Sequence, residues 1–369
     1  MRGLDPRHEH AFTWIGVIVV LLYATTWIDT IKRLHDSMQK QGNAAAPVVA
    51  VAPPKPVGVG PISNAILAPN PTATTFLTDA MMRFTNPLHG NSGKVYFTVR
   101  AAGDPIVASK PGDIVAVLKS DDGEQVSPDF AAPSRPGIYS LAVRSNDTTR
   151  TVDNLNVITL VPFAKKSNGR IGSYLLGSWP FERGGQPRSP AYANPVGFIE
   201  VTQQNQNTYV SEHFRLRDFL TKTQFDVWPK YILLSPKLLD KLELTIMELQ
   251  EMGHPVKTVH IMSGFRTPNY NVSGGNTQGR AGLSRHMYGD ASDIFVDNDG
   301  NGVEDDLNRN GRSDPGDAEV VAQAADRVEK KYPSLVGGVG VYSACCGHGP
   351  FTHIDCRGNR ARWRGTGNG

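Results

Sequence analysis

The feature that most constrains this chain is the stretch Ser284-Arg-His-Met-Tyr-Gly-Asp-Ala-Ser-Asp293, taken together with Thr352-His-Ile-Asp355. His286, Asp293 and His353 supply two imidazoles and a carboxylate, the N/O donor set that zinc prefers. Three protein ligands with a fourth position left open are the pattern of catalytic zinc sites. Gly289 lets the chain bend sharply after His286, and residues 291–296 then read as a strand carrying Asp293. Residues 351–355 read as another strand, on which alternation turns His353 and Asp355 to the same side. Asp355 is therefore expected near the metal, either as a general base or as a group that orients a ligand.

The surrounding pattern supplies helices and strands to carry these residues. Ser235-Pro236 gives an N-cap followed by proline at the first helical position. Leu238, Leu239, Leu242, Ile246 and Leu249 then recur at three-to-four spacing, and Gly253 is a natural stop, so this is a core helix. A short helix at 214–222 leads into a strand at 231–234. Residues 256–262 read as a strand that delivers Ser263-Gly-Phe-Arg266 to its end. There the Arg266 guanidinium can clamp a carboxylate in bidentate fashion, with a structural salt bridge as the plainer alternative. Asp314-Pro315 opens a further helix with Val320, Val321, Ala324, Ala325 and Val328 on its inner face, and 339–342 is a strand.

Between Asp293 and that last helix lies a stretch rich in oxygen side chains at alternate positions. One run comprises Asp297, Asp299, Asn301 and Asp305, and a second Asp306, Asn308, Asn310, Asp314 and Asp317; glycine is sixth in each, at Gly302 and Gly311. Alternating hard oxygen ligands around a glycine turn are the calcium-loop pattern. The first run has Asn308 at its twelfth place, so the two overlap and can share ligands. A solvated acidic loop is the alternative.

Three motifs in order give the chain a family resemblance. The string Ser-x-His-x-x-Gly-x-Ala-x-Asp at 284–293 resembles the zinc signature of the D-alanyl-D-alanine carboxypeptidase family of metallopeptidases (the M15 family), whose fold is shared with Hedgehog domains. Ser263-Gly-Phe-Arg-Thr-Pro268 is similar to its arginine segment, and Phe351-Thr-His-Ile-Asp355 to its closing segment. The resemblance spans roughly 210–364. It implies a zinc peptidase acting on peptidoglycan stem or cross-link peptides, with His286, Asp293 and His353 on the metal and Arg266 facing substrate. Many members carry an acid three positions before the last zinc histidine, where this chain has Pro350. Proton transfer then falls to Asp355 or His348. A catalytically silent zinc- and calcium-bearing binding module is the alternative from another class.

The amino-terminal part is of a different character. Residues 11–28 are uncharged and mostly apolar, and eighteen helical residues span about 27 Å, close to a bilayer's hydrocarbon thickness. Trp14, Tyr23 and Trp27 sit toward the ends, as interfacial aromatics do. This reads as a single membrane-spanning helix in the inner or cytoplasmic membrane, with a cleaved signal peptide as its competitor and the rest of the chain outside the cytoplasm. Residues 41–62 hold five prolines and almost no charge, a semi-rigid spacer. From about 90 to 163, period-two runs at 94–100, 114–119, 138–144 and 156–161 are separated by turn signals at Lys110-Pro-Gly-Asp113 and Arg135-Pro-Gly137. They suggest a small immunoglobulin-like sandwich.

The fold class expected is α+β, in five parts: tail and anchor 1–40, linker 41–62, β domain 63–163, connecting segment 164–210 and zinc domain 211–369. Net charge is +3, and the basic residues are scattered rather than striped, so nothing points to nucleic acid. Of the three cysteines, Cys356 is expected to bridge to Cys345 or Cys346, with a Cys/His zinc site using His348 as the alternative.

Overall fold

The computed structural model describes residues 96–365, apart from 107–113, 146–147, 188, 276, 278–279 and 346. The expected membrane span at 11–28, the linker at 41–62, residues 63–95 of the β domain and the turn at 110–113 lie outside the described residues. Among the described residues no helix is long and apolar enough to cross a membrane. Helices and sheets are mixed, with more strand than helix, in keeping with an α+β fold.

The period-two runs become four strands of one sheet, β1 (Tyr96–Arg100), β2 (Ile114–Ser120), β4 (Gly137–Ser145) and β5 (Thr148–Thr159), joined by β3 (Gly123–Ser127). The order is β1-β5-β4-β2-β3, with β1 parallel to β5 and the other neighbours antiparallel. β3 carries Val126 as its single apolar residue, so no alternation announces it. An immunoglobulin-like sandwich has two facing sheets; the described residues form one sheet here. Its two faces have different fates. Leu118, Leu141 and Val157 pack with Ile106 and Phe130 into a local core. Ile158, one residue on from Val157, turns to the other face and joins Phe97 in the large core of the molecule.

The segment expected as a connection contributes to that large core. β6 (Val161–Pro162), β9 (Gly197–Val201) and β10 (Lys230–Ile232) form a small antiparallel sheet, and β7 (Arg170–Ile171) pairs with β8 (Tyr174–Leu175). Trp179 and Phe198 are buried against each other, with ring centroids 5.5 Å apart.

The rest is organised on a second five-stranded sheet. After α1 (Pro236–Glu251) come β11 (Val259–Ser263), α2 (Pro268–Ser273), β12 (Ala291–Val296), α3 (Pro315–Lys331), β13 (Gly338–Tyr342), β14 (Phe351–Asp355) and β15 (Ala361–Gly365). The order is β11-β12-β14-β13-β15, antiparallel except for the parallel β13/β15 pair at the edge. α1 starts at Pro236 as its sequence predicts, and Leu238, Leu239, Leu242, Ile246 and Leu249 are all buried. Each such side chain contributes about 1.5–3 kcal/mol. Gly253 ends the helix region with φ +86°, in the left-handed region. α3 is capped by Asp314, which accepts from the Gly316 N–H, while Asp317 reaches back to the Asp314 N–H. The helix expected at 214–222 is one 3₁₀ turn, Leu216–Phe219.

α3 packs on β13 and β14, and α1 packs on α3. Ile294, Val296 and Ile354 face these helices with Ala318 and Val321. By alternation Asp293, His353 and Asp355 face the other way. One buried cation ties the layers together. Lys241 on α1 is 0% exposed, and its Nζ donates to Glu329 Oε1 and to the Asp355 carbonyl, both at 2.7 Å. Lys241→Met is expected to lower stability by about 3 kcal/mol, the low end for a buried pair broken on one side, because Arg362 also reaches Glu329. Urea unfolding measures it, and a loss below about 1 kcal/mol would show that the pair does not anchor the helices.

Candidate metal centre

Three elements converge to bring the predicted ligands together. Asp293 on β12 and His353 on β14 are directly opposed in the sheet register. His286 comes from the 3₁₀ turn Arg285–Tyr288, which Gly289 closes with φ +70°. A side chain at Gly289 would also sit 2.3 Å from the Leu233 backbone, so glycine is required there twice over. The connecting segment braces this turn: Trp179 Nε1 donates to the Met287 carbonyl at 3.0 Å, and Arg285 Nη1 donates to the Ala191 carbonyl at 2.7 Å.

The hydrogen bonds behind each ligand fix which atom faces the others. His286 Nδ1 lies 2.7 Å from the Gly264 carbonyl, so it carries the proton and Nε2 offers a lone pair. His353 Nε2 lies 3.1 Å from Asp355 Oδ2, so it too donates, leaving Nδ1 with a lone pair. Asp293 Oδ2 accepts from Arg266, leaving Oδ1. These three acceptors form a triangle: 3.2 Å from His286 Nε2 to His353 Nδ1, 3.2 Å from His286 Nε2 to Asp293 Oδ1, and 2.8 Å from His353 Nδ1 to Asp293 Oδ1. A tetrahedral zinc with ligands at 2.0–2.1 Å separates adjacent donors by about 3.3 Å. Three lone pairs aimed at one another need a cation between them, and the donor set fits zinc.

Electrostatics favour the metal-binding forms. Burial, with Arg266 beside it, pushes His286 down to about 4, so its ring is neutral at physiological pH. Burial alone would raise Asp293, but His286 and Arg266 outweigh it and hold the carboxyl well below its ordinary range. His353 is pulled down by burial and raised more strongly by Asp293 and Asp355.

Asp355 has a geometry that decides between its two sequence-based roles. It is 0% exposed and sits behind His353, on the ring nitrogen turned away from Asp293 and His286. Its Oδ1 accepts from the N–H groups of Gly338 (2.8 Å) and Arg357 (3.0 Å), and the Arg357 guanidinium engages both oxygens. Burial would raise it, yet the bonds from His353 and Arg357 hold it far below the carboxylate range. A carboxylate so saturated and so acidic is a poor general base, so that expectation is corrected: Asp355 orients His353.

Arg266 also differs from the expected open clamp. Its Nη2 donates to Asp293, its Nε donates to Ser263 Oγ at 2.8 Å, and it is nearly buried. The ligand-bearing strand needs a countercharge beside its buried carboxylate, and Arg266 supplies it; Nη1 makes no hydrogen bond among the described residues. Sequence reading missed a second guanidinium. Arg280 Nη1 donates to the carbonyls of Tyr270 and Gly274, its Nε is buried without a partner, and its charge feels both Arg266 and Asp293. The signal was a basic residue shortly before Ser284, in a loop with no periodicity.

An aromatic row lines one side. Trp363 on β15 packs 5.1 Å from His353, filling space left by Gly340, where a Cβ would lie 2.4 Å from the indole. Its Nε1 donates to Tyr342 Oη at 2.8 Å; Tyr342 stacks on Phe351 at 4.5 Å, and His348 meets Phe351 edge-on at 5.1 Å. His348 Nδ1 donates to the Gly349 carbonyl at 2.8 Å, which makes Nε2 its acceptor nitrogen. Cys345 is disulfide-bonded, which removes it as a metal ligand, and Cys356 is a free thiol, so the bridge expected from Cys356 does not form. Cys356 follows Asp355 and alternation sends it the opposite way, where Sγ donates to the Lys237 carbonyl and burial pushes it up to about 12.

Comparison of the chain with protein-family models, curated proteins and solved structures finds no match.

Proposed function

We propose that this protein is a membrane-anchored, zinc-dependent peptidase that hydrolyses peptide bonds in peptidoglycan stem or cross-link peptides, with a domain of the Hedgehog/DD-peptidase type. The observation that carries the reading is the triangle of three unshared lone pairs on His286, Asp293 and His353, each fixed from behind by a separate partner. When bound, zinc supplies Lewis-acid polarisation of a carbonyl and lowers the pKa of water.

The chain's own residues do the rest. Arg266 and Asp355 hold Asp293 and His353 in place. Arg266 and Arg280 give the cleft a positive field suited to a substrate carboxylate, as stem peptides carry. Tyr342 accepts from Trp363 and keeps its own proton to donate; its hydroxyl feels the charges of Asp293 and Arg266. With Asp355 committed behind His353, His348 is the remaining proton-transfer residue, through its acceptor Nε2. The orientation of Asp355 and the proline at 350 favour a second reading, a zinc-bearing module that binds wall peptides without cutting them.

One experiment separates the two. Purified sacculi are incubated with the zinc-loaded protein and with protein stripped by dipicolinate, and soluble products are identified by mass spectrometry. New peptide termini that depend on zinc are expected. Co-sedimentation with sacculi and no new termini would replace the peptidase by the binding module.

A further inference from the structure

The two acidic runs between β12 and α3 play no part in the metal centre, yet they are built alike. In the first, the Asn301 N–H donates to Asp297 Oδ1 (2.9 Å), the Gly302 N–H to Asp297 Oδ2 (3.0 Å) and the Val303 N–H to Asn301 Oδ1 (2.8 Å). Nine residues on, Asn310, Gly311 and Arg312 donate to Asp306 Oδ1 (3.0 Å), Asp306 Oδ2 (2.7 Å) and Asn310 Oδ1 (2.9 Å). The same wiring twice means that each loop wraps its chain around its own oxygen side chains. Gly302 and Gly311 take φ +82° and +83°, which the tight turn requires. In the first loop carboxylate oxygens of Asp297, Asp299 and Asp305 lie within 4.8 Å of one another.

Loop geometry alone does not make a site; Glu304 adds an independent observation. It is 2% exposed, and its Oε1 accepts from the Val296 N–H at 2.9 Å. Its Oε2 is buried with no hydrogen-bond partner, and the charges acting on the carboxyl are those of Asp317 and Asp305, one from each run. A buried carboxylate oxygen that faces two more carboxylates and has no donor is aimed at something positive.

We propose that each loop holds a calcium ion, the first bound by Asp297, Asp299, Asn301 and Asp305 and the second by the residues nine positions on, with Glu304 as the interior carboxylate between them. The all-oxygen donor set with flexible loop geometry suits calcium; magnesium demands a stricter octahedron and keeps its waters. The loops join the two halves of the metal centre. Asp297 directly follows β12, the strand of Asp293. The second run caps α3, whose Ala318 carbonyl accepts from Thr352 Oγ1 at 2.7 Å, next to His353 on β14. Calcium therefore also steadies the zinc strands, a consequence that rests on the zinc reading; calcium binding itself does not.

The test uses the full-length protein passed over a chelating resin, reloaded with zinc and titrated with calcium chloride by calorimetry and thermal melting. Saturating calcium is expected to raise the melting temperature by about 5–10 °C, since it binds only the folded state. Asp297→Asn combined with Asp306→Asn should abolish the shift, and Glu304→Gln, which keeps the shape, should weaken calcium about tenfold or more. His286→Ala should keep the calcium shift although it cannot hold zinc, so failure of the zinc reading leaves this result standing. No binding heat and an unchanged melting curve up to about 10 mM calcium would overturn the proposal, as would an equal shift with magnesium or loss of the shift in His286→Ala.

Discussion

Replacing His353 or His286 by alanine is expected to leave the purified protein without zinc and without zinc-dependent hydrolysis. Each ring supplies one of the three lone pairs of the triangle, 3.2 Å apart between the two histidines. The two ligands that remain cannot enclose the ion, so the loss should exceed the roughly 10–100-fold in affinity that removal of an outer partner costs. His286 is expected to be the more specific of the two probes. Its ring makes one hydrogen bond outside the triangle, to the Gly264 carbonyl, so little of the fold depends on it. Elemental analysis of both variants, with circular dichroism to show that the sheet persists, decides the matter. Full zinc occupancy in both would mean that the triangle is a buried proton-sharing network with no metal.

The ligand set was legible in the sequence because it depends on short-range rules. A glycine turn after His286, a strand after the turn and the period of two on β14 are local features, and the described sheet sets Asp293 opposite His353. The core helix α1 was legible for the same reason, since its leucines recur at the helical period. What stayed hidden depends on contacts between distant segments. Alternation put Asp355 on the side of His353 but could not tell which ring nitrogen it would meet. Arg266 was read as facing a cleft, and its partner Asp293, 27 residues on, was not foreseen. Trp363 reaches His353 only because β15 adds in parallel beside β13, a pairing that no turn signal announces. The connecting segment looked irregular, and its role emerges only where Trp179 meets Met287.

The second large effect is expected at Asp355, and its form separates an orienting role from proton transfer. Were Asp355 the base, Asp355→Asn would keep zinc tightly bound and lose about 10²–10⁴ in rate. The geometry predicts the reverse order of losses. Asp355 holds the proton of His353 Nε2 at 3.1 Å, so that the Nδ1 lone pair points at Asp293 and His286. Asp355→Ala releases the ring and should weaken zinc by about 10–100-fold, with most of the rate recovered at saturating zinc. Asp355→Asn should fall between, because its amide oxygen can still accept from His353 but carries no charge for Arg357. Zinc affinity measured against a competing chelator, alongside the rate at saturating zinc, reads the two quantities separately. Should Asp355→Ala leave Arg357 too poorly paired to fold, the Asn variant carries the comparison alone. Tight zinc with a collapsed rate in Asp355→Asn would return Asp355 to the chemistry and displace His348 from it.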